Sequence, residues 1–337
     1  MPTLQEQFDK SNLHEIISNL PKQFTQAFDA VDAKISAETK KIIFCGMGGS
    51  ALPANLLKTF FSVTKSNFNI PIKISRDYSL PHLIDENWCG FFDSYSGNTE
   101  ETLSALAEAE QKGMKQIVIL AHTGKLKEIA AKKNYTFIEI PDTGQPRLAY
   151  GYTIGALLKL FHNSGLNQLD FNQFNEEISQ CLSISSTLEE KGKALAESVK
   201  GKIPVVYCSN IWKYVAMVWK INFNENAKTQ SFWNVFPELN HNEMVGYTNL
   251  VGNYKIIILK DSSDHEQNQK RMAIFKKLLG DKIDIEIIDL LGDTPFEKML
   301  SRLLLGLWTS YYLALLYGVD PAPVDLVEAF KLKLSNV

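Results

Sequence analysis

Short apolar runs rich in β-branched and aromatic residues alternate with helix-patterned stretches along most of this chain, and that alternation constrains the fold more than any other feature. The first series is KKIIFCG (40–46), IPIKIS (70–75), WCGFFDS (88–94), QIVILA (116–121) and YTFIEI (135–140). Brief runs of this kind separated by amphipathic sequence predict a parallel sheet with helices on both faces. Strand signals then stop between 151 and 200, where the pattern is helical with polar breaks near NSGLNQ and a charged run around LEEKGKALAESVKGK. They resume with IPVVYCS (203–209), YKIIILK (254–260) and DIEIIDL (284–290), each followed by a helical pattern such as EQNQKRMAIFKKLLG. The expected organisation is a first α/β domain over 1–155 with a leading helical segment, a helical connection over 156–195, and a second α/β domain over 196–337 with terminal helices. The repeat is one of topology, since CSNIWKYVA after 203–209 only loosely echoes CGMGGSALPA after 40–46.

At 337 residues, 45% hydrophobic and 22% charged, the chain can bury two ordinary cores. The amino terminus, MPTLQEQFDKSNLHEIISNL, has no basic stretch followed by an apolar core, so secretion is not expected. The segment FEKMLSRLLLGLWTSYYLALLYGVD is apolar around much of its circumference, with Glu297, Lys298 and Arg302 at one end, and reads as a buried or interfacial helix rather than a membrane span. A cytoplasmic protein with no membrane partner is expected. Cys45, Cys89, Cys181 and Cys208 are widely spread without a C-x-x-C pair, which suggests reduced core residues. A net charge of −3 argues against a nucleic-acid partner. Any bound phosphate must therefore be held by local donors.

Two loops offer such donors. Gly46-Met47-Gly48-Gly49-Ser50-Ala51 follows a strand and opens a helix, so its amide N–H groups point at whatever sits at that helix terminus. The segment also satisfies G-x-G-x-x-[GA], the dinucleotide fingerprint. However, about 20 residues on, where a ribose-binding acid belongs, the chain has Ser66 and Asn67, and the nearest acid is Asp77. A plain tight turn, a phosphate site and a dinucleotide site all remain open on this loop alone. The second loop, Ser94-Tyr95-Ser96-Gly97-Asn98-Thr99-Glu100-Glu101-Thr102, places the hydroxyls of Ser94, Ser96 and Thr99 directly before a helix. A phosphomonoester presents several oxygens that each take more than one donor, and hydroxyls with helix amides satisfy them without a cation. Ordinary capping, with Asn98 at the N-cap and Glu101 completing a capping box, is the competing account, but it has no use for Ser94 or Ser96. Two such loops on neighbouring strands of an open sheet lie where ligands bind in that architecture, and together they favour a phosphomonoester pocket.

The pair GMGGSA and SYSGNTEET resembles the phosphosugar site of the sugar-isomerase (SIS) fold, which implies two SIS domains, each a flavodoxin-like parallel sheet flanked by helices. The resemblance implies that Ser50, Ser94, Ser96 and Thr99, with the amides of Gly48 and Gly49, grip the phosphate. With QPR (145–147), NENAK (224–228) and PELNHNE (237–243) intact and in order, the whole chain resembles the bifunctional phosphoglucose/phosphomannose isomerases. It implies Glu225 as the proton-shuttling base, Arg147 beside the developing oxyanion, and His241 in ring opening, reaching in from the partner of a homodimer. Lys331, in VDLVEAFKLKL, corresponds to a ring-opening residue by the same resemblance. Taken singly, Arg147 also reads as a charge at a helix start, Glu225 as a solvated helix residue, His241 as a loop histidine and Lys331 as one face of an amphipathic helix.

These residue types suit aldose–ketose isomerisation through a cis-enediolate, in which one carboxylate moves the proton between C2 and C1. Partial burial strengthens such a base, and a cation stabilises the enediolate oxygen. Glucose and mannose phosphates differ only at C2 and share one enediolate, so one pocket can serve both. No cofactor is expected. His241 and Glu243 form only an H-x-E pair, so no metal is expected either. His14, His82, His122, His162 and His265 are given no role. A non-catalytic sugar-phosphate sensor would need an output module, and no helix-turn-helix extension is visible. A related amino-sugar isomerase would share the phosphate loops and differ around C1 and C2, and a nicotinamide-dependent dehydrogenase is the remaining alternative.

Overall fold

A computed structural model describes residues 2–64 and 66–334. They fall into two units, of which one holds Ser18–Leu182 with Thr294–Phe296, and the other gathers the chain up to Ile17, Ser183–Asp293 and the residues from Glu297 onward.

The Ser18–Leu182 unit is built on strands β1 (Ile42–Gly46), β2 (Ile72–Ser75), β3 (Cys89–Asp93), β4 (Gln116–Ala121) and β5 (Thr136–Glu139), all parallel and ordered β2-β1-β3-β4-β5. Its helices come from α2 (Leu13–Ala30), α3 (Gly48–Val63), α4 (Glu100–Gln111), α5 (Gly124–Lys133), α6 (Tyr150–Asn163) and α7 (Phe171–Ser183). Central strands β1 and β3 are buried at every position, as a parallel strand covered on both faces must be. One face carries Ile43, Cys45, Phe92, Ile117 and Ile119 against Ala105 and Leu106 of α4 and Leu126 of α5. The other is aromatic, with Phe44 stacked on Phe91 and Phe91 in turn against Phe161 of α6. Each fully buried phenylalanine contributes about 1.5–3 kcal/mol through removal of its surface from water.

The second unit repeats the plan with β6 (Ile203–Ser209), β7 (Phe232–Phe236), β8 (Tyr254–Lys260) and β9 (Asp284–Asp289), again all parallel, in the order β7-β6-β8-β9. Around them lie α1 (Leu4–Phe8), α8 (Ser185–Val199), α9 (Lys213–Glu225), α10 (Glu266–Leu279), α11 (Pro295–Leu316) and α12 (Asp325–Leu334). Edge strand β7 is absent from the reading of the sequence. Its segment FWNVF is mostly half-exposed and interrupted by Asn234, so it has neither an apolar run nor a clean alternation, and pairing with β6 is what orders it.

Helix α11 is long and apolar enough to cross a membrane by length and composition, but 89% of its apolar window is buried inside the protein. It packs closely because glycines open its path: a Cβ on Gly306 would meet Trp219 Nε1 at 2.6 Å, and one on Gly192 would meet Trp308 Cβ at 2.5 Å. The four cysteines are buried and form no disulfide among the described residues, and burial pushes the thiols of Cys45 and Cys89 up to about 12, so those two behave as small apolar groups.

Candidate active site

In the first unit the chain leaves β1 towards β2 on one side and β3 lies on the other, so the carboxyl ends of β1 and β3 form the topological switch point of the sheet. Both glycine-containing loops start there. After β1 the chain turns through Met47 into α3, with Gly48 at φ +47°, and the first amides of a 16-residue helix face outward from the strand ends. After β3 comes the hydroxyl loop, in which Ser94 Oγ lies 2.8 Å from Thr99 Oγ1 and 3.5 Å from Ser96 Oγ. The Tyr95 N–H donates to Ser50 Oγ at 3.1 Å and ties the two loops together. Ser50, Ser94, Ser96 and Thr99 are thus gathered, with Gly48 and Gly49, at two adjacent strand ends.

The capping account of the second loop gives way here. Thr99, not Asn98, is the N-cap of α4, and its side chain makes no capping bond. Asn98 instead donates to Ser96 O at 3.0 Å and accepts from the Lys125 N–H at 3.1 Å, locking the loop to the start of α5. Gly97 makes that lock possible: its φ is +68°, and a Cβ there would lie 1.7 Å from Thr123 O. The hydroxyls therefore sit on a loop braced from behind.

Arg147 joins the same region. It occupies a 3₁₀ turn, Pro146–Leu148, is fully buried, and donates from Nη1 to Gln145 Oε1 at 3.0 Å. Gln23 of α2 grips both sides of the turn, donating to Leu148 O at 2.9 Å and accepting from the Gly151 N–H at 3.1 Å. Gly49 faces it so closely that an added Cβ would meet Arg147 N at 2.8 Å. Tyr95 braces the preceding segment, its hydroxyl donating to Asp142 at 2.7 Å and accepting from the Thr143 N–H at 2.6 Å. Burial raises the Tyr95 phenol, so it stays a neutral donor.

Glu225, His241 and Lys331 belong to the second unit and lie on three different elements. Glu225 is the half-buried last residue of α9. The NENAK motif around it is a helix terminus built from polar bonds. Buried Asn226 donates to Ser310 Oγ of α11 at 2.9 Å, and Lys228 Nζ covers Glu225 O at 2.6 Å and Pro323 O at 2.6 Å. His241 ends another 3₁₀ turn, Glu238–His241, and is exposed. Its neighbour Glu243 anchors that loop to the sheet by accepting from Tyr207 Oη and Asn234 Nδ2. Lys331 is exposed on α12 and pairs with Glu328 at 2.8 Å. Among the described residues no group of three or more His, Cys, Asp or Glu is placed to hold a metal ion.

The strand ends of the second sheet are closed by charge. Ser209 donates to Asp264, while Asp261 takes Lys298 at 2.9 Å and Trp212 Nε1 at 3.1 Å. The two carboxylates there are matched by Lys298 and buried Arg302, whereas the strand ends of the first sheet present hydroxyls and helix amides.

Two residues escaped the reading of the sequence. Tyr95 is the hinge of both loops, and Asp93, at the end of β3, is a carboxylic acid only 3% exposed with Oδ2 unpartnered. A lone acid in the run WCGFFDS was the available signal for the second.

Residues 35–155 match the SIS domain family, and residues 188–334 match the bacterial phospho-glucose isomerase C-terminal SIS domain. Across 96% of this chain and 99% of the relative, the sequence is 36% identical to a bifunctional phosphoglucose/phosphomannose isomerase of Caldicellulosiruptor bescii. The chain belongs to this isomerase family. The chain is also 30% identical, over 74% of its length and 79% of the relative's, to a D-glucosamine-6-phosphate 4-epimerase of Sulfolobus acidocaldarius. The fold is that of a hypothetical protein from Thermus thermophilus, with a TM-score of 0.75 at 14% identity, covering 99% of this chain and 92% of the other.

Proposed function

We propose that this chain is an aldose–ketose isomerase that interconverts glucose 6-phosphate and mannose 6-phosphate with fructose 6-phosphate through a cis-enediolate, without a metal. The observation that carries the reading is the convergence of Ser50, Ser94, Ser96 and Thr99 at one pair of strand ends, cross-linked by the Tyr95 N–H. The family relationship, through a relative named for both isomerase activities, supports the substrate pair.

In this reading the hydroxyls and the Gly48 and Gly49 amides hold the phosphate, leaving C1 and C2 for chemistry. His241 and Lys331 assist ring opening. Glu225 takes the C2 proton of the open-chain aldose, and the electron pair moves through C1–C2 onto the carbonyl oxygen. Arg147 stabilises that oxygen as charge develops. Glu225 returns the proton to C1 on the same face, and the O2 hydroxyl proton passes to O1, leaving the 2-ketose. Half-burial of Glu225 and the polar frame around it suit a positioned general base.

A homodimer in the cytoplasm is part of the proposal. Exposed His241 suits a residue offered to a partner copy, and α12 presents Leu326, Val327, Phe330 and Leu334 to solvent along one helix face as an apolar surface to cover. The test is to incubate the protein with mannose 6-phosphate and glucose 6-phosphate separately, with and without chelator, and follow fructose 6-phosphate. Absence of product from both sugars refutes the reading. The epimerase relative favours a second reading, inversion at C4 of an amino-sugar phosphate, and product NMR from glucosamine 6-phosphate separates the two.

A further inference from the structure

Every polar atom of Tyr95 is engaged, and its hydroxyl leads away from the phosphate loops. The residue stands between Ser94 and Ser96, whose hydroxyls are read above as phosphate donors. Its N–H donates to Ser50 Oγ at 3.1 Å and its carbonyl accepts from the His122 N–H at 3.0 Å, which holds the peptide to the start of α3 and to the residue beyond β4. The ring lies against the His122 imidazole, with centroids 5.7 Å apart and planes 24° from parallel, and His122 Nδ1 donates to Ile140 O at 3.1 Å. The phenol is thereby aimed along the segment that follows β5.

From that segment a chain of bonds runs to the arginine. Tyr95 Oη donates to Asp142 Oδ1 at 2.7 Å and accepts from the Thr143 N–H at 2.6 Å. Asp142 Oδ1 also takes the Gly144 N–H at 2.8 Å. Thr143 Oγ1 donates to Gln145 O at 3.0 Å, and Gln145 Oε1 accepts from Arg147 Nη1 at 3.0 Å. Gln23 pins the far side of the arginine turn, and Tyr95 supplies a hold on the near side. A simpler account gives the phenol only the task of satisfying the buried Thr143 N–H.

We propose that Tyr95 is a positioning residue for the reaction: its hydroxyl fixes the spacing between the phosphate cradle and the Arg147 guanidinium, and so sets the arginine against the enediolate oxygen of a substrate held by its phosphate. This rests on the readings of Ser94 and Ser96 as phosphate ligands and of Arg147 as the partner of the developing oxyanion. The phosphate and the oxygens on C1 and C2 lie at opposite ends of an open-chain hexose 6-phosphate. Both grips serve one transition state only if the distance between them is held. Loss of the phenol leaves the serine hydroxyls, the helix amides and the Tyr95 N–H bond in place. Its cost therefore falls on turnover and not on the grip on phosphate.

The experiment measures kcat and KM for mannose 6-phosphate, and Ki for inorganic phosphate, in the full-length wild type and in Tyr95→Phe, Asp142→Ala, Asp142→Asn, Arg147→Ala and the Tyr95→Phe/Arg147→Ala pair. Tyr95→Phe is expected to lower kcat about tenfold, the weight of one lost hydrogen bond, with the phosphate Ki within about twofold of wild type. Asp142→Ala should do the same, whereas Asp142→Asn, whose amide oxygen still accepts from Tyr95 and Gly144, should restore most of the turnover. Once Arg147 is alanine, loss of the phenol should add nothing. An unchanged kcat in Tyr95→Phe, a phosphate Ki that rises in step with the fall in kcat, no better turnover in Asp142→Asn than in Asp142→Ala, or effects of Tyr95→Phe and Arg147→Ala that multiply, each overturn the proposal. Wild-type turnover in Arg147→Ala is a different result, which removes the arginine from the reaction and the proposal with it. Should Arg147→Ala not accumulate as folded protein, the split between kcat and Ki in Tyr95→Phe and the rescue in Asp142→Asn decide.

Discussion

One methyl group at Gly49 tests whether the first glycine loop and the arginine turn act as a single body. An ideal Cβ at this position lies 2.8 Å from Arg147 N and 3.1 Å from both the carbonyl carbon and Cβ of Pro146. Ordinary contact begins near 3.4 Å, so the two segments must separate by about 0.6 Å. None of these atoms is the far end of a flexible side chain, and Gln23 pins the turn through Leu148 O and Gly151 N, so the backbone itself has to move. Overpacking of this kind costs about 1–3 kcal/mol. At about 2–4 °C per kcal/mol for a unit of this size, Gly49→Ala should lower Tm by on the order of 2–12 °C. On the proposed role of Arg147 at the enediolate oxygen, displacing it should also lower kcat about 10- to 100-fold. Gly48→Ala is the comparison. Its φ of +47° imposes about 1–2 kcal/mol of strain on alanine, but its Cβ would meet nothing within 4 Å, so Arg147 is not pushed. Thermal melts by circular dichroism and steady-state kinetics on mannose 6-phosphate measure both effects. If Gly49→Ala lowers kcat no more than Gly48→Ala does, Gly49 is not what sets the place of Arg147.

Three further outcomes are expected. Glu225→Gln should retain phosphosugar binding, read by calorimetry, while turnover falls by about 10²- to 10⁴-fold; near-normal turnover removes Glu225 as the base. Prolonged chelation should leave fructose 6-phosphate formation unchanged, and a loss restored by a divalent ion would contradict the metal-free mechanism. Asp93 should make the folded protein less stable as pH rises, because the native state keeps a proton that the unfolded chain surrenders. Its contribution is fully present below the unfolded carboxylate value near about pH 4 and declines by about 1.4 kcal/mol per pH unit until Asp93 ionises in the folded state. Urea denaturation at mildly acidic and neutral pH should therefore show a steeper decline for wild type than for Asp93→Asn, and equal slopes would mean that Asp93 is ionised in the native protein.

Much of this molecule is legible along the chain because its signals are local. Apolar runs such as WCGFFDS and YKIIILK carry their own strand signal, since a strand buried on both faces needs no contribution from afar to be recognised. The hydroxyls of Ser94, Ser96 and Thr99 are likewise visible beside a helix start, and the switch point that collects them follows from parallel topology. What escaped depends on neighbours distant in sequence. Strand β7 is ordered by its pairing to β6 and not by its own composition. Asn98 looks like a cap until Gly124 and Lys125 arrive across the loop to give its amide another use.

Local pattern along the chain was enough for the alternating α/β architecture, the two glycine-containing loops with their hydroxyls, and the set of motifs that link the chain to its family. It took the folded chain to put Gly49 directly against the Arg147 turn, to join the loops through Tyr95 and Ser50, and to seal Asp93 beneath them. Periodicity and turn chemistry are properties of neighbouring residues, and so they survive in a linear reading. Desolvation and close contact are set by whatever the fold brings alongside, and they decide whether an aspartate is an ordinary anion or a neutral acid.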